Sequence, residues 1–441
     1  MPASPPSNRW PVALITLFAL LLLFLVARQR LRPPASGMAT VAAPASNPPA
    51  RFDPGFRFQR LSRASGPEGA PVDAAAIVRE KLTRFSEARL QLARALAASN
   101  HVALPPQAAA FFAAVGDGDW DRASALYREL DQVQPADEHE ATAWHRIKQA
   151  VKETYGVAET VHEWPADRLL QYGETVLSTL RPGMVYVGGT DPGRFIPTLL
   201  NATSGSEPHV VVTQNALADA SYLDYLRFQY ADRLALPDPA DSQRCFQEYL
   251  QDAQARALHD QQSPDEPAQL RPGENVRITE NRVQVSGQVA VMAINEKLLT
   301  TLLDKNPELV FALEESFPLP STYEGAVPGG ALLELRATGS GHGLSAAQAS
   351  EALDFWRGAQ QDLDSEPLDS EVRKAWAKMA VAQSNLLARQ GFAAEAEQGY
   401  GLARAIAPKL PEAVLGLAAL MEKSGRPDEA VRLRSLLPGG P

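Results

Sequence analysis

Residues 10–27, WPVALITLFALLLLFLVA, form an uncharged run of eighteen residues bracketed by Arg9 on one side and by Arg28, Arg30 and Arg32 on the other. At ~1.5 Å of helical rise per residue this run spans about 27 Å, close to the thickness of a bilayer hydrocarbon core. A cleaved secretory signal has a shorter apolar core, ~7–15 residues, followed closely by a small-residue cleavage site. Here three arginines follow instead, and small residues of that kind appear only at Ala42–Ala45. The pattern predicts a retained single span, with residues 1–32 as a membrane anchor and Trp10 at its interfacial edge. Whatever follows then folds as a body held at a membrane surface. Taken alone, the arginine bias of the flanks favours a cytoplasmic body.

Residues 33–72 read as a linker. Positions 33–50 are rich in Pro, Ala and Ser, the composition of an extended spacer. Arg51, Arg57, Arg60 and Arg63 then alternate with Phe52, Phe56 and Phe58, either as a solvated linker or as a stretch that lies on anionic headgroups. Charge is segregated: residues 1–63 carry +7 and the remaining chain −17, within a total of −10. A body this acidic repels phosphate backbones, so nucleic acid is not an expected partner. The single cysteine, Cys245, excludes an intramolecular disulfide and a cysteine-rich zinc site. No motif implies a metal or a cofactor.

Residues 73–180 have apolar positions at helical spacing. Within them GDGDWDRASALYRELDQVQP resembles the second half of a tetratricopeptide unit, with Gly118, Trp120, Ala123, Tyr127 and Pro135 at matching offsets. Residues 181–336 change character. MVYV, HVVVT, LVFAL and ALLELR are strand candidates, and INEKLLTTLLDKN is an amphipathic helix. This alternation predicts an α/β domain with a mainly parallel, Rossmann-like, three-layer sheet, the last two strands forming an antiparallel edge. Residues 258–274 contain no apolar run and are expected to form a mobile insertion.

Residues 343–441 return to helical periodicity with an internal repeat. Gly391 and Gly425 are 34 apart, as are Ala396 and Ala430, and 34 is the tetratricopeptide period. Each position has a packing reason. Glycine permits the tight turn between two helices, alanine lets them approach, Tyr400 and Ala403 continue the buried face, and Pro408 stops the second helix. Two repeats are fewer than a free solenoid needs, so the pair is expected to pack on a preceding helix containing Leu353 and Trp356. These repeats are the predicted grip for a protein partner.

The candidate ligand site lies on the sheet. VYVGGTDPGRF is a strand, a glycine-rich turn and a helix start, containing Gly188, Gly189, Thr190, Asp191 and Arg194. Ligands of open parallel sheets sit beyond the carboxyl ends of the strands, where glycines let backbone approach and a helix N-terminus offers N–H groups. Asp191 would bind hydroxyls or cap the helix, and Arg194 would hold a phosphate or carboxylate. Neither GxGxxG nor GxxxxGK[ST] is present. After the second strand come Gln214, Asn215, Asp219 and Tyr222, which would share that rim and suit a polar, hydroxyl-rich small molecule, or else serve as caps and core residues. Glu314 and Glu315 end a later strand, where neighbours point to opposite faces and cannot meet one substrate.

The stretch from VYVGGTDPGRF through VVTQNALADASYLDYLR and VQVSGQVAVMAINEKL to LVFALEES resembles the soluble tail of bacterial multi-span membrane proteins of the protein O-mannosyltransferase-like kind. Gly189, Thr190 and Asp191 occupy the turn of that pattern, and Tyr222 or Tyr225 its helix. Tetratricopeptide units often accompany such tails. A single span lacks the membrane bundle that would hold a lipid-linked sugar donor, so the resemblance implies a related extramembrane domain rather than a transferase. It also favours a periplasmic body. The expected function is a membrane-anchored, non-enzymatic binding or assembly module for envelope or glycan-related machinery. The alternative is an enzyme acting on a sugar or nucleotide-like substrate at the sheet rim.

Overall fold

Short strands between long helices carry the fold in the computed structural model, which describes residues 73–279, 282–336 and 343–437. The predicted anchor at 10–27 and the linker at 33–72 lie outside the described residues. Among the described residues, no helix is long and apolar enough to cross a membrane. The protein is mostly helical, with a small mixed sheet of five strands. The described residues divide into two compact units, residues 244–294 and residues 73–243 with 295–437.

The larger unit opens with α1 (Ala74–Ser99), α2 (Pro106–Asp117), α3 (Trp120–Asp131), α4 (Glu138–Glu163) and α5 (Ala166–Ser178). Asp73 starts α1 by accepting the Ala76 amide, and Val78, Leu82, Phe85 and Leu96 form its buried stripe. Between α2 and α3 the chain reverses at Gly118, whose φ of 74° is open to glycine without strain. Asp119 then caps α3, and Ala123 is buried where the helices meet. Trp120, Tyr155 and Tyr127 stack in series, with Tyr127 and Tyr155 at 3.9 Å between ring centroids.

The strands are β1 (Val185–Gly188), β2 (Val210–Thr213), β3 (Asn275–Thr279), β4 (Arg282–Ser286), β5 (Phe311–Leu313), β6 (Val327–Gly329) and β7 (Leu332–Leu335). Five of them form one sheet in the order β2-β1-β5-β7-β6. β2, β1 and β5 are parallel, with Gly188 opposite Thr213 and Val187 opposite Leu313. β7 runs antiparallel to both β5 and β6. The sheet is therefore mixed rather than mainly parallel; LVFAL (β5) and ALLELR (β7) pair antiparallel as expected, but LVFAL also pairs parallel with β1 and the edge on that side is β6. The edge strand β6 comes from a Pro/Gly-rich stretch that reads as a connection. The cause is the short turn through Gly330, at φ 54°. A turn this tight can join only antiparallel neighbours, since a parallel return needs a long crossover.

On the C-terminal side are α6 (Asp191–Ala202), which packs on β1, α7 (Ala220–Tyr230), α8 (Pro239–Gln262) and α9 (Gln288–Lys305). They are followed by α10 (Ala346–Asp362), α11 (Glu371–Arg389), α12 (Ala393–Ile406), α13 (Pro411–Lys423) and α14 (Pro427–Arg434). Gly391 and Gly425 adopt φ 90° and 74° between their helices. Ala396, Ala403 and Ala430 are fully buried and Tyr400 nearly so, its hydroxyl donating to Asn385 Oδ1 at 2.6 Å. Pro408 follows the last turn of α12. Leu353 and Trp356 of α10 are buried, and α10 packs on α12.

α11 is tied directly to the sheet. Gln383 Nε2 donates to the carbonyls of Gly330 and Leu332, both at 2.9 Å, while its Oε1 accepts from Trp356 Nε1 at 2.8 Å. Gln390 Nε2 donates to the carbonyls of Tyr323 and Ala326 at 2.7 and 2.8 Å. Trp376 meets Tyr172 of α5 edge-on at 5.5 Å. The helices on both sides of the sheet in sequence thus share its core.

In the smaller unit β3 and β4 form an antiparallel hairpin, Asn275 opposite Ser286. The stretch expected to be a mobile insertion is laced to the end of α8. Asp260 accepts the amides of Gln269 and Leu270 at 2.7 and 3.0 Å. Glu274, with no exposed side-chain surface, pairs with Arg256 and accepts from the Tyr249 hydroxyl at 2.5 Å. These contacts are polar, which is why hydropathy is silent about them.

Candidate functional site

Parallel pairing brings the carboxyl ends of β1, β2 and β5 to one rim, so Gly188–Arg194, Gln214–Tyr222 and Glu314 are neighbours there. The centre of the rim is the carboxylate of Glu314, which is buried. Its Oε2 accepts the amides of Gly189 and Thr190, both at 2.7 Å, and its Oε1 accepts the Thr190 hydroxyl at 2.7 Å. Thr190 Oγ1 in turn accepts the Gly193 amide at 3.1 Å and so caps α6. A helix N-terminus favours an anion. Here the carboxylate that those donors hold is the protein's own, from Glu314 just past β5.

The glycines follow from this geometry. A Cβ on Gly193 would overlap the Glu314 carboxyl, and one on Gly189 would press on the Glu314 carbonyl, Gln214 Oε1 and the Ser316 amide. A Cβ on Gly188 would meet the Gly193 carbonyl oxygen at 2.6 Å. Tyr186 locks the same turn, its hydroxyl donating to the Gly193 carbonyl at 2.5 Å. Burial pushes the Glu314 carboxyl above its ordinary range, against the pull of the Thr190 hydroxyl and the two amides.

The remaining candidates serve mostly as joints between loops. Asn215 Nδ2 donates to the Gly189 carbonyl at 2.9 Å, and its Oδ1 accepts from Ser316 Oγ at 3.1 Å. Gln214 is fully buried and its Oε1 accepts the Ser316 amide at 3.2 Å. Asp219 caps α7, accepting the Ser221 amide at 2.9 Å and its hydroxyl at 2.7 Å, and also holds Gln149 Nε2 at 3.2 Å. The buried Tyr222 hydroxyl accepts the Thr213 amide at 2.7 Å, and burial raises its pKa. Asp191 points to solvent, with its side chain 79% exposed and Arg194 at 3.6 Å. Arg194 lies over the Phe195 ring at 4.6 Å.

Two buried donors on this rim have no partner: Gln214 Nε2 and Arg194 Nε. Across from them on α4, burial lowers the pKa of both Lys152 and His145, with Asp219 opposing the shift in each. Chemically, the rim offers donors and cations. Of its carboxylates Glu314 and Asp219 are engaged, and only Asp191 faces solvent. Glu315 turns away to a different partner set, accepting the Tyr323 hydroxyl at 2.8 Å and the Leu319 amide at 3.1 Å. Burial pushes its carboxyl up to about 8, against those hydrogen bonds.

The residue that sequence reasoning left out of the site is Glu314. The signal was present: a carboxylate ending a strand in a chain with one glycine-rich strand–helix turn. What was missing was the pairing of β5 beside β1. Comparison with protein-family models, with curated proteins and with solved structures returns no match for this chain.

Proposed function

We propose that this protein is a membrane-anchored, non-enzymatic assembly module, an adaptor for envelope or glycan-related machinery, whose sheet is a scaffold and whose helical hairpins meet a protein partner. The observation that carries this reading is the Glu314 carboxylate within the glycine-rich turn. The amides that a phosphate or sugar substrate would need are already used, and the other rim side chains are largely spent on joints. The parallel strands β2, β1 and β5 are the Rossmann-like part of the fold, with their ligand position filled from within.

The tetratricopeptide-like hairpins support the partner surface. Gly118, Gly391 and Gly425 stand in the same left-handed conformation, each five residues before a buried alanine. The hairpin of α13 and α14 exposes Leu415 and Val431, and Leu436 just beyond it is exposed too, apolar surface suited to a partner. The sequence resemblance to the extramembrane tails of protein O-mannosyltransferase-like membrane proteins supplies the glycan-related context and favours a periplasmic body tethered through residues 10–27.

The test joins two measurements on the full chain. In envelope extracts the unaltered protein is expected to co-purify a partner that a Leu415→Glu, Val431→Glu variant of equal melting temperature loses. Retention of the same partner would remove the adaptor surface. Thermal denaturation against nucleotides, nucleotide sugars, S-adenosylmethionine and free sugars is expected to show no shift, because only ligands bound to the folded state raise the midpoint. A shift abolished by Arg194→Ala would instead make the two orphan donors, Gln214 Nε2 and Arg194 Nε, part of a polar-ligand site and favour the enzyme reading.

A further inference from the structure

Glu315 lies buried just past β5, at the joint between the sheet, the short 3₁₀ helix Pro320–Gly325 and α11. Both of its carboxyl oxygens are 2.8 Å from the Tyr323 hydroxyl, and Oε2 also accepts the Leu319 amide at 3.1 Å. Asn385 of α11 hydrogen-bonds the same carboxyl, and its Oδ1 accepts the Tyr400 hydroxyl of α12. Further along α11, Gln390 Nε2 holds the carbonyls of Tyr323 and Ala326. Residues 317–326 are thus closed onto α11 at two points, one through Glu315 and one through Gln390.

The joint suits a carboxyl that carries its proton. A phenol has one hydrogen and donates it to one acceptor. Equal distances to both oxygens fit a reciprocal pair, in which Tyr323 donates to one oxygen and accepts the proton held on the other. An ionised carboxylate in so buried a place needs a cation beside it. The charged group that acts most on Glu315 is instead another acid, Glu296 of α9, which disfavours a second negative charge. Glu296 Oε1 also accepts the Ser321 amide of the 3₁₀ helix at 2.9 Å. The other titratable groups facing the carboxyl are the hydroxyls of Tyr323 and Tyr400, and burial raises the pKa of both. Lys378 of α11 acts on the neighbouring Glu314.

Loss of the proton therefore favours opening. In the closed joint burial raises the Glu315 carboxyl to about 8, whereas in a hydrated, open segment it returns to the ordinary 4.5. Between these values the open form gains about tenfold for each unit of rising pH. α11 itself stays on the sheet through Gln383, whose bonds to the Gly330 and Leu332 carbonyls lie outside this segment. Opening of the joint does not require the rest of the molecule to unfold.

We propose that Glu315 is a proton-operated latch, which holds residues 317–326 against α11 while it carries its proton and lets that segment open when the proton leaves. The latch is independent of the adaptor reading, because it concerns the joint between sheet and helices and not what the hairpins bind.

Hydrogen exchange on the full chain tests the latch, with amide protection in residues 317–326 followed from about pH 5 to about pH 9 and corrected for the intrinsic base-catalysed rate. Protection is expected to fall about tenfold per pH unit up to about 8 and then to level off. Val185–Gly188 of β1 should stay at least tenfold more protected throughout, because the segment opens without the sheet. In Glu315→Gln the fall is expected to vanish. Glu296→Gln keeps an acceptor for Ser321 while removing the facing charge, so its protection should level off at a lower pH, which keeps the latch testable if Glu315→Gln does not fold. Flat protection in the unaltered chain, the same fall in Glu315→Gln, or a level-off unmoved in Glu296→Gln would each overturn the latch. So would protection in 317–326 equal to that of β1, since the segment would then open only by global unfolding.

Discussion

Glu314 and Glu315 are adjacent and both buried, yet they hold different loops. Glu314 closes the turn before α6; Glu315 holds Tyr323 and Leu319. Glu314→Ala would leave the amides of Gly189 and Thr190 and the Thr190 hydroxyl buried without an acceptor. Unsatisfied groups of this kind cost about 1–3 kcal/mol each, so a loss of about 2–4 kcal/mol in urea-unfolding free energy is expected, allowing for relaxation. Asp191→Ala, at an exposed side chain with a long ion pair, should change the same quantity by less than about 0.5 kcal/mol. A reversal of this ranking would show that Asp191, not Glu314, organises the turn. The raised carboxyl of Glu315 also sets a pH dependence. Its folded pKa of about 8 lies above the ordinary 4.5. The contribution is therefore fully present below about 4.5 and is lost as pH rises through 8. The melting midpoint should fall across that window, and Glu315→Gln should flatten the fall.

At the scale of elements, the helical hairpins depend on residues that have no freedom to change. Gly391 and Gly425 sit at positive φ with open space around them, so alanine there is strained by backbone and not by crowding. Each Gly→Ala change is expected to cost about 1 kcal/mol, visible as a lowered unfolding midpoint. Ala396 differs, being fully buried at a helix contact. Ala396→Leu inserts volume where none is available and should cost about 1–3 kcal/mol. The smaller unit titrates in the opposite sense to Glu315. Burial alone would raise the Glu274 carboxyl, but Arg256, the Tyr249 hydroxyl and the Arg271 amide outweigh it and hold it at about 2. Stability from this group is present above about 4.5 and lost as pH falls toward 2. Protease cleavage between residues 262 and 275 should therefore accelerate at acid pH, and Glu274→Gln should make cleavage fast at neutral pH as well.

At the scale of the molecule, α11 decides where the chain can be cut. Truncation before residue 371 would remove Gln383, Gln390 and Trp376 from the sheet and from Tyr172. Truncation after residue 408 removes only α13 and α14. The first should abolish cooperative unfolding by near-ultraviolet circular dichroism, and the second should preserve it. The repeat pair is thus not separable at its own sequence boundary, a consequence of tertiary contact that no repeat period encodes. What was legible in the residues themselves has a local cause. Helical spacing, the 34-residue period, the glycine turns, the cap at Asp219 and the strands VYVG and VVVT all arise from interactions within a few residues or from burial of a face, whereas the cap expected at Asp191 is made by Thr190. What only the tertiary structure decided are the long-range choices: β5 beside β1, the antiparallel β6–β7 hairpin, the polar lacing of 258–274, and the use of Glu314 in the turn. Glu314 lies more than a hundred residues from Gly189 and Thr190. A carboxylate reads the same in sequence whether it meets a ligand or the protein's own amides, and only the pairing of strands distant in sequence determines which.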